Sequence, residues 1–491
     1  MIPTPQYQTN LPGMFIPTPN CVVAIPKENL ELTFAAERFC RILEKHFNLY
    51  KEPFEGKSNA GQQVVFESVP SLSGKADSFE IHIEPNRILI SGDTGGCLYA
   101  VEMLEQILFQ EADTSKGWKC FKQKETPQFD WRGLLLDSSR HFIPLPLMYR
   151  WIDMLPALRI NRLHLHLTDD QGWRMEILAF PKLTNKGAYV EYGEEQLGYY
   201  SQRELRDLVH YAAQRNVMIV PEIEVPAHSM AAIRTFPELT CPGNPARIHG
   251  KENLYCAGND AVFTFLEKVL TEVMEIFPSP YIHLGGDEAN KELWKKCPLC
   301  QAKMREKGLR DEEMLQSYFF NKVANFVRSS GRIAIGWDEI LWGNPDKSII
   351  SHWWRHNTIG HDYMLKGLKM GHKTILSPNS FTYFNFPVDP NEHFKPYRTT
   401  DFKKAYLADW IPESATADER NLIIGAECCI WTDIMKSDKV EDFLFPRVLA
   451  FSELAWSYPE KRNLDDITKK VQIAEKYWNF KGIKYGKMFA G

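Results

Sequence analysis

From about residue 126 onward, the chain alternates short apolar runs with longer amphipathic segments. The apolar runs lie at 132–139, 162–169, 217–224, 281–288, 332–339, 348–354, 373–378 and 422–431. Segments with helical periodicity lie between or after them at 145–158, 201–215, 261–277, 312–330 and 441–456. Eight nearly continuous hydrophobic strands separated by helices predict a closed parallel (β/α)8 barrel. The alternative, an open doubly wound sheet, would be expected to carry a glycine-rich phosphate loop after its first strand, and none is found there.

The first part of the chain has a different pattern. Its clearest elements are a helical stretch at 30–48, a pair of alternating strands at 78–92 and a second helical stretch at 95–110. A polar, proline-containing stretch at 122–130 is typical of a boundary between domains. We therefore expect a small α+β domain over residues 1–125, followed by the catalytic (β/α)8 TIM barrel over residues 126–491.

Charge and hydropathy exclude some classes of partner. The net charge is −5, from 58 basic and 63 acidic residues, and no basic run stands out, so nucleic acid and anionic membrane are not expected partners. No apolar stretch approaches the ~20 residues of a membrane helix. No signal peptide is visible at the N-terminus. The compartment and the oligomeric state stay open, including a periplasmic or secreted location after removal of an export signal.

The 10 cysteines do not predict a metal site. Cys297 and Cys300 form a CxxC pair, but no second CxxC or pair of histidines completes a zinc site in the sequence. We expect a structural or inert role for this pair. Cys241 and Cys256 flank a loop and would be able to form a disulfide only in an exported protein. Neither a metal nor an organic cofactor is indicated.

Polar and aromatic residues gather at the ends of the predicted strands. They are Asp137, Asp169, Glu224, Asp287, Glu288, Trp337, Asp338, Glu339, Trp353 and Trp431. In a (β/α)8 barrel the C-terminal strand ends form the active-site face. Acids and tryptophans without a metal constellation suit cleavage of glycosidic bonds, and the aromatic content of 12%, with 13 Trp, fits a protein that binds sugars.

One acidic pair is placed awkwardly for standard glycoside hydrolysis. Asp287 and Glu288 are adjacent, whereas the usual mechanism uses two carboxylates that flank the anomeric carbon from opposite sides. Neighbouring side chains at one strand end are poorly placed for that task. A different division of labour is implied, in which one carboxylate protonates the leaving oxygen and the other acts elsewhere on the same side of the sugar.

Six motifs carry a resemblance to a known family. In order along the chain they are DSSRHF (137–142), HLHLTDDQGWR (164–174), PEIEVPAHS (221–229), HLGGDE (283–288), GWDEI (336–340) and ECCIWTD (427–433). Together they resemble the family 20 glycoside hydrolases, the β-N-acetylhexosaminidases, over nearly the whole chain. The resemblance implies a small α+β domain before the barrel, and retaining exo-cleavage of terminal non-reducing β-linked GlcNAc or GalNAc from glycans.

The resemblance also implies substrate-assisted catalysis, in which the 2-acetamido oxygen of the substrate attacks the anomeric carbon and forms an oxazolinium intermediate. Glu288 matches the general acid, which then acts as general base, and Asp287 matches the residue that hydrogen-bonds the acetamide N–H. Asp169 and His228 match the pair that adjusts the proton affinity of the acid. Tyr383 matches a tyrosine that hydrogen-bonds the acetamide oxygen.

Further residues match the binding pocket of the family. Arg140 matches the arginine that binds the 3- and 4-hydroxyls of the sugar. Trp337, Trp353 and Trp431 match the aromatic walls that enclose the acetamide methyl group and the C–H face of the ring. Trp354 competes with Trp353 for its place, since neighbouring side chains point in different directions.

Two positions depart from the family pattern. The family typically has Tyr-x-Asp and Trp-x-Glu where this chain ends the corresponding tripeptides in Asn385 and Asp433. In relatives, these acids contact O4 and O6 of the sugar. We expect the changes to alter selectivity between gluco, galacto or substituted sugars while leaving the chemistry intact.

Two other functions remain to be distinguished from an exo-hydrolase. One is a non-catalytic sugar-binding barrel, which is disfavoured because a binder has little use for the acid and its partners. The other is a variant within the enzyme class, a lacto-N-biosidase that releases disaccharides or a transglycosylase. Such a variant shares the same residues and depends on its loops.

Overall fold

The computed structural model describes residues 1–27, 30–70, 72–110, 113–189, 197–242, 254–390, 398–460 and 462–489. Its first 125 residues contain a seven-stranded mixed sheet with the order β1-β7-β5-β6-β4-β2-β3. The strands are β1 Tyr7–Phe15, β2 Val22–Ile25, β3 Phe54–Glu55, β4 Gln63–Ser68, β5 Phe79–Glu84, β6 Arg87–Gly92 and β7 Trp118–Glu125. Helices α1 (Thr33–Phe47) and α2 (Thr94–Leu108) pack on each other and on this sheet.

Eight parallel strands form the closed barrel that the apolar runs predict. They are β8 Trp131–Asp137, β9 Arg162–His166, β10 Met218–Glu222, β11 Tyr281–His283, β12 Ile333–Trp337, β13 Ile350–Trp353, β14 Thr374–Leu376 and β15 Ile423–Ile430. Each strand pairs with the next in the chain, and β15 closes the barrel by pairing with β8 from Gly425↔Trp131 to Ile430↔Leu136. The predicted fold class is confirmed.

The helices of the barrel region vary in length. They are α3 Leu145–Met154, α4 Lys182–Asn185, α5 Gln202–Gln214, α6 Met230–Thr235, α7 Asp260–Ile276, α8 Glu292–Lys296, α9 Pro298–Lys307, α10 Glu312–Ser329, α11 His356–Ile359, α12 Asp362–Lys369, α13 Asn379–Thr382, α14 Phe402–Tyr406, α15 Ala417–Asn421, α16 Val440–Leu444, α17 Arg447–Trp456 and α18 Leu464–Phe480. The segment 441–456, expected as one helix, is divided between α16 and α17 because Pro446 lacks the N–H that would continue the first helix. None of the helices in the described ranges is long and apolar enough to cross a membrane.

A buried carboxylate joins the small domain to the barrel. Oδ2 of Asp77 lies 2.6 Å from a guanidinium nitrogen of Arg132 and accepts a hydrogen bond from Asn161 Nδ2 at 2.9 Å. Its Oδ1 accepts a hydrogen bond from Asn216 Nδ2 at 2.8 Å. Arg132 lies at the start of β8, and both asparagines precede barrel strands. The small domain is therefore attached at the N-terminal ends of the strands, away from the C-terminal ends that carry the predicted site.

The C-terminal helix α18 also packs against the small domain. The hydroxyl of Tyr477 donates to Glu102 on α2, and Lys481, just after α18, pairs with Glu105 at 2.6 Å. The boundary predicted near residue 125 falls between β7 and β8, but the last helix of the chain contributes to holding the two regions together.

The interior of the barrel is layered. An apolar cluster of Trp131, Val220, Ile335, Ile350 and Ile375 fills the end where the strands begin. Above it, five buried polar side chains hydrogen-bond or ion-pair with one another: His164, Glu222, His283, His352 and Glu427. A third cluster, which includes Leu135, Trp337, Tyr383 and Phe386, lies at the C-terminal ends. The polar layer supports the residues above it from below.

Candidate active site

The C-terminal strand ends surround a cavity of about 580 Å³, a size typical of small-molecule sites. Eight of the eleven residues that the sequence analysis assigns to the site line it: Arg140, Asp287, Glu288, Trp337, Tyr383, Asn385, Trp431 and Asp433. Asp169 and His228 lie behind the cavity wall, both buried. The remaining residue, Trp353, lies elsewhere.

The turn after β11 depends on its two glycines. Gly285 and Gly286 have φ of 64° and 106°, a region that disfavours residues with a side chain. A Cβ on Gly285 would lie 1.7 Å from Oε2 of Glu224, so the close approach also requires glycine. Glu288 itself has φ of 47°, and such conformations in non-glycine residues concentrate at functional sites. This turn presents Asp287 and Glu288 to the cavity.

Asp287 and Glu288 converge on one imidazole nitrogen. Nε2 of His228 lies 3.5 Å from Oδ2 of Asp287 and 3.4 Å from Oε2 of Glu288. The Glu288 side chain is 59% exposed, whereas that of Asp287 is 15% exposed. The two carboxylates are therefore on the same side of the cavity and do not face each other across it.

Behind His228 lies an ionic network centred on Asp169. Oδ1 of Asp169 is 3.1 Å from Nδ1 of His228, and its Oδ2 is 2.7 Å from the Arg140 guanidinium. Burial opposes ionisation of Asp169, but Arg140 and then His228 outweigh it and hold its pKa well below the usual range. Burial also opposes protonation of His228, but Asp169 and then Asp287 raise its pKa well above 6.5. His228 is therefore a cation in the free protein.

A second carboxylate supports this network from within the barrel. His166, on β9, contacts Asp169 through Nε2 at 2.8 Å and pairs with Glu222 through Nδ1. Glu222 also accepts a hydrogen bond from Trp337 Nε1 at 2.9 Å. The interior layer thus orients both the Asp169 carboxylate and one of the aromatic walls.

The environment drives the pKa values of the two adjacent acids apart. Burial raises the pKa of Asp287 to about 6, although the His228 cation opposes the rise. The adjacent His228 cation, whose Nε2 lies 3.4 Å from Oε2, lowers the pKa of Glu288. Paired titratable groups with opposite shifts are typical of acid–base sites. In the free protein at neutral pH, the Glu288 carboxylate is ionised and an exchangeable proton lies on the adjacent His228.

Four aromatic side chains form the apolar walls. The rings of Tyr383 and Trp354 are stacked, with centroids 6.1 Å apart and an interplanar angle of 11°. The ring of Trp431 lies 6.0 Å from that of Tyr383 and 6.0 Å from that of Trp337. Burial raises the pKa of Tyr383 well above 10, so its phenol stays neutral and retains its proton for donation. Arg140 lies 5.1 Å above the Trp431 ring while it is paired with Asp169.

Trp353 does not line the cavity, and its assignment as an aromatic wall is wrong. Its side chain is fully buried among the hydrophobic residues outside the barrel, beside His361. Successive side chains of a strand point to opposite faces. Because His352 points into the barrel, Trp353 points out, and Trp354 takes the place in the cavity, where its Nε1 donates to Glu339 Oε2 at 2.9 Å.

The two residues that depart from the family pattern lie at the edge of the cavity. Burial raises the pKa of Asp433, and the Arg140 cation opposes the rise. Oδ1 of Asn385 is buried and has no hydrogen-bond partner among the residues that the structure describes. A group with unmet hydrogen-bonding capacity beside the cavity is suited to a sugar hydroxyl.

Other residues line the cavity for which the sequence suggested no role in the site. Glu339 lines it, and burial together with Asp338 raises its pKa well above the usual range. Trp342 and Arg355 form another part of the wall, with Arg355 held by Asp338 at 2.7 Å. Glu339 ends a predicted strand and was detectable on that ground. Trp342 and Arg355 lie beyond the ends of the predicted strands, where no periodicity indicates which way a side chain points.

Within the part of the chain that the structure describes, two groups of residues near the cavity are close enough together to hold a metal ion. Asp169, Asp170 and His228 lie close enough together to hold an ion, as do His166, Glu222 and Glu224. Their histidines are already hydrogen-bonded to carboxylates in ways that suit proton transfer.

Comparison with known proteins agrees with the geometry. Residues 129–459 match the model of the catalytic domain of glycosyl hydrolase family 20. The chain is 32% identical to a beta-hexosaminidase of Porphyromonas gingivalis over 99% of its own length, and it spans 64% of the length of that protein.

Solved structures show the same fold. The chain is similar to the crystal structure of a beta-N-acetylhexosaminidase from Bacteroides fragilis, with a TM-score of 0.88 and 29% identity, covering 100% of this chain and 97% of the other. It is equally similar, at a TM-score of 0.88 and 27% identity, to an exo beta-N-acetylglucosaminidase from Vibrio harveyi in complex with N-acetylglucosamine, covering 99% of this chain and 78% of that one.

Proposed function

The chain belongs to glycosyl hydrolase family 20, and on that premise we propose that it is a retaining exo-β-N-acetylhexosaminidase. It removes terminal β-linked GlcNAc or GalNAc from the non-reducing end of glycans through an oxazolinium intermediate. The observation that carries this proposal is the convergence of Asp287 and Glu288 on the same nitrogen of His228. The similarity to proteins named beta-hexosaminidase and to a structure that contains N-acetylglucosamine supports the substrate class.

The position of the two acids favours a nucleophile supplied by the substrate. A protein nucleophile would attack the anomeric carbon from the face opposite the general acid, ~5 Å away from it. Asp287 is not on that opposite face, because it shares His228 with Glu288. It is instead placed to accept the acetamide N–H, while the acetamide oxygen attacks C1 and displaces the leaving group.

Each step of the proposed reaction is assigned to a group in the cavity or on the substrate. As the C1–O bond breaks, Glu288 gives a proton to the departing oxygen and the acetamide oxygen bonds to C1, which leaves a positively charged oxazolinium. The Asp287 carboxylate stabilises that charge. Glu288, now ionised, takes a proton from a water molecule, whose oxygen attacks C1 and reopens the ring. Two inversions at C1 give net retention.

The proton that Glu288 delivers is supplied through His228. In the free protein, Glu288 is held ionised by the His228 cation, 3.4 Å away. When a substrate displaces water around the exposed Glu288 carboxylate, its ionised form loses solvation and the proton moves from Nε2 to Oε2. Asp169 stays ionised and keeps the imidazole oriented through Nδ1.

The walls hold the acetamide and the ring in place. Tyr383 donates its phenol hydrogen to the acetamide oxygen and aligns it for attack. Trp337, Trp354 and Trp431 enclose the acetamide methyl and exclude water that would compete as nucleophile. Arg140, whose fork of donors suits vicinal hydroxyls, binds the 3- and 4-hydroxyls.

A series of aryl β-glycosides of GlcNAc with one, two or three fluorines on the acetyl methyl tests the proposal. Fluorine withdraws electrons from the acetamide oxygen, so kcat is expected to fall steeply along the series if that oxygen is the nucleophile. A rate independent of fluorination would contradict acetamide participation.

A thiazoline analogue of the intermediate provides a second test. It should bind far more tightly than GlcNAc, since it resembles a state that the pocket stabilises.

Comparison of wild type with Glu288→Gln separates an enzyme from a sugar-binding protein. The matched control is Glu292→Gln, a nearby exposed glutamate that pairs only with Lys295 among the ion pairs of the described chain. On a disaccharide substrate, whose leaving oxygen needs a proton, we expect the control to retain wild-type turnover and Glu288→Gln to lose most of it while still binding GlcNAc. Binding of GlcNAc without turnover by the wild type would overturn the proposed activity.

A further inference from the structure

Four cysteines that are distant in the sequence converge outside the cavity. They are Cys241, Cys256, Cys297 and Cys300, and all four are buried and carry free thiols. Their sulfur atoms all lie within 4.8 Å of one another. In the sequence no second CxxC or pair of histidines completes a site with Cys297 and Cys300, but the fold brings Cys241 and Cys256 to them.

The sulfur separations match those of a tetrathiolate metal site. Cys241 and Cys300 are 3.8 Å apart, and Cys256 is 3.7 Å from both Cys297 and Cys300. Four sulfurs at ~2.3 Å from a central zinc, arranged as a tetrahedron, are separated by ~3.8 Å. A disulfide would require a separation of ~2.05 Å. Three of the six sulfur–sulfur separations therefore match the edges of a ZnS₄ tetrahedron, the other three are below 4.8 Å, and none of the three measured pairs is at disulfide distance.

The backbone around the sulfurs is built for close approach. Cys297 precedes α9, and Cys300 lies in its first turn. Cys241 and Cys256 follow Thr240 and Tyr255, which form an antiparallel bridge. This places two pairs of thiols on two different segments.

Gly258 allows the two segments to meet. A Cβ at this position would lie 2.2 Å from the backbone carbonyl of Leu299, in the middle of the CxxC pair. Any side chain here would force the segments that carry the two cysteine pairs apart. The glycine is required by the convergence of the four sulfurs and has no evident role in the cavity.

We propose that Cys241, Cys256, Cys297 and Cys300 bind a structural zinc ion as thiolates. Four protein ligands complete the tetrahedral coordination, so the ion has no open position for substrate or water. Binding releases the thiol protons to solvent and leaves a site with a net charge of −2. The ion is separate from the glycosidase chemistry.

The site would join the two segments that carry catalytic groups. One segment follows β10 and contains His228, Cys241 and Cys256. The other follows β11 and contains Glu288 and then the CxxC pair. Trp294, between them in space, donates from Nε1 to the carbonyl of Tyr255 at 2.9 Å. A zinc clip across these segments limits their relative movement and so holds His228 beside Glu288.

The metal content of the full chain, expressed with zinc in the medium and purified without chelators or a metal-affinity tag, tests the site directly. We expect one zinc per chain, with X-ray absorption showing sulfur ligands at ~2.3 Å. Replacement of zinc by Co²⁺ should give the intense absorption of tetrahedral cobalt thiolate. Protein that contains no zinc, takes up none when titrated with Zn²⁺ and has all its thiols free would overturn the proposal. Disulfides among these four residues, detected by mass spectrometry without reduction, would also overturn it.

Substitutions then assign the ligands. Cys300→Ser should lose the zinc and lower the melting temperature. Cys120→Ser, which changes a buried cysteine in the small domain, should retain a full complement of zinc. If Cys300→Ser does not fold, mercurial titration of the folded wild type decides the matter, because zinc should be released as these four thiols are modified. Zinc that stays fully bound in Cys300→Ser would contradict the assignment.

Discussion

Nε2 of the buried His228 lies 3.4 Å from Oε2 of Glu288, whose side chain is largely exposed. The other nitrogen of the same ring is held by Asp169 at 3.1 Å. Through His228, this chain of contacts links two groups with different roles. Glu288 must deliver a proton to the substrate, and Asp169 is a buried anion that stays ionised. The pH dependence of the reaction is therefore expected to reflect all three of these residues and not Glu288 alone.

His228→Ala should narrow the pH profile of kcat/KM from both sides. The His228 cation opposes the rise in the pKa of Asp287, so its removal should move the acid limb above pH 6. On the alkaline side, the wild type keeps its proton up to the raised pKa of His228, whereas the variant depends on Glu288 alone. The alkaline limb should therefore move to lower pH. A profile that falls uniformly, with unchanged limbs, would indicate a purely structural role for His228.

Asp287→Asn should remove the acid limb. In the wild type, kcat/KM is expected to fall below about pH 6, because protonation of Asp287 removes the anion that supports the oxazolinium. Asparagine does not titrate, so the variant should show a flat profile through this range and a rate lower by ~100-fold or more. The measurement is kcat/KM on an aryl glycoside between pH 4 and pH 8, about two pH units on either side of the raised pKa. An acid limb that persists in Asp287→Asn would assign it to another group.

Glu288→Gln should show an effect that depends on the leaving group. General acid catalysis contributes ~10²–10⁴-fold, and its loss matters most when the leaving oxygen needs a proton. An aryl glycoside with an acidic phenol should be cleaved with a smaller loss than an alkyl glycoside or a disaccharide. Equal losses for both kinds of substrate would argue that Glu288 has another role.

Trp353→Ala should mainly lower stability, whereas Trp354→Ala should mainly lower catalytic efficiency. Trp354 lines the cavity, so its truncation should lower kcat/KM by ~10-fold or more with little change in melting temperature. Trp353 is fully buried outside the barrel, so its truncation should cost ~3–5 kcal/mol of unfolding free energy, with smaller effects on the kinetics of the protein that remains folded. Each variant is the control for the other in thermal unfolding and kinetic assays.

Asp433→Glu and Asn385→Asp should change the preference between GlcNAc and GalNAc. Both residues line the cavity, and both changes introduce the acids that the family resemblance implies at these positions. Since GlcNAc and GalNAc differ only in the orientation of O4, the ratio of kcat/KM for the two aryl glycosides measures this contact. A ratio that stays unchanged in both variants would show that neither residue contacts O4.

Asp77→Ala should destabilise the junction between the small domain and the barrel. Its loss leaves the buried Arg132 without its anion, which costs ~3–5 kcal/mol. Burial raises the pKa of Asp77, but Arg132 outweighs it and the folded pKa is lowered. The contribution of the pair is therefore present above the unfolded pKa of ~3.9 and is lost as pH falls through the lower folded value. Denaturant unfolding at pH 7 and in acid checks this, with the exposed Asp113→Ala as control.

The order and type of the main elements were accessible from sequence because they depend on local patterns. Eight apolar runs with polar ends predicted the barrel strands, and the rule that C-terminal ends meet at one face predicted which polar residues gather. The motif HLGGDE identified the turn, whereas the reason for its glycines, the positive φ of Gly285 and its close approach to Glu224, came from the structure. The pairing of Asp287 and Glu288 at one strand end required no tertiary information.

Only the tertiary structure decided features that depend on the direction of a side chain or on distant segments. Whether Trp353 or Trp354 enters the cavity depends on the register of β13, which is fixed by its neighbours in the barrel and not by its own composition. His228 lies between Asp169 and Glu288, and four cysteines share one location, because barrel closure brings together segments that are far apart in sequence. Local patterns determined which residues are available; long-range packing determined which of them meet.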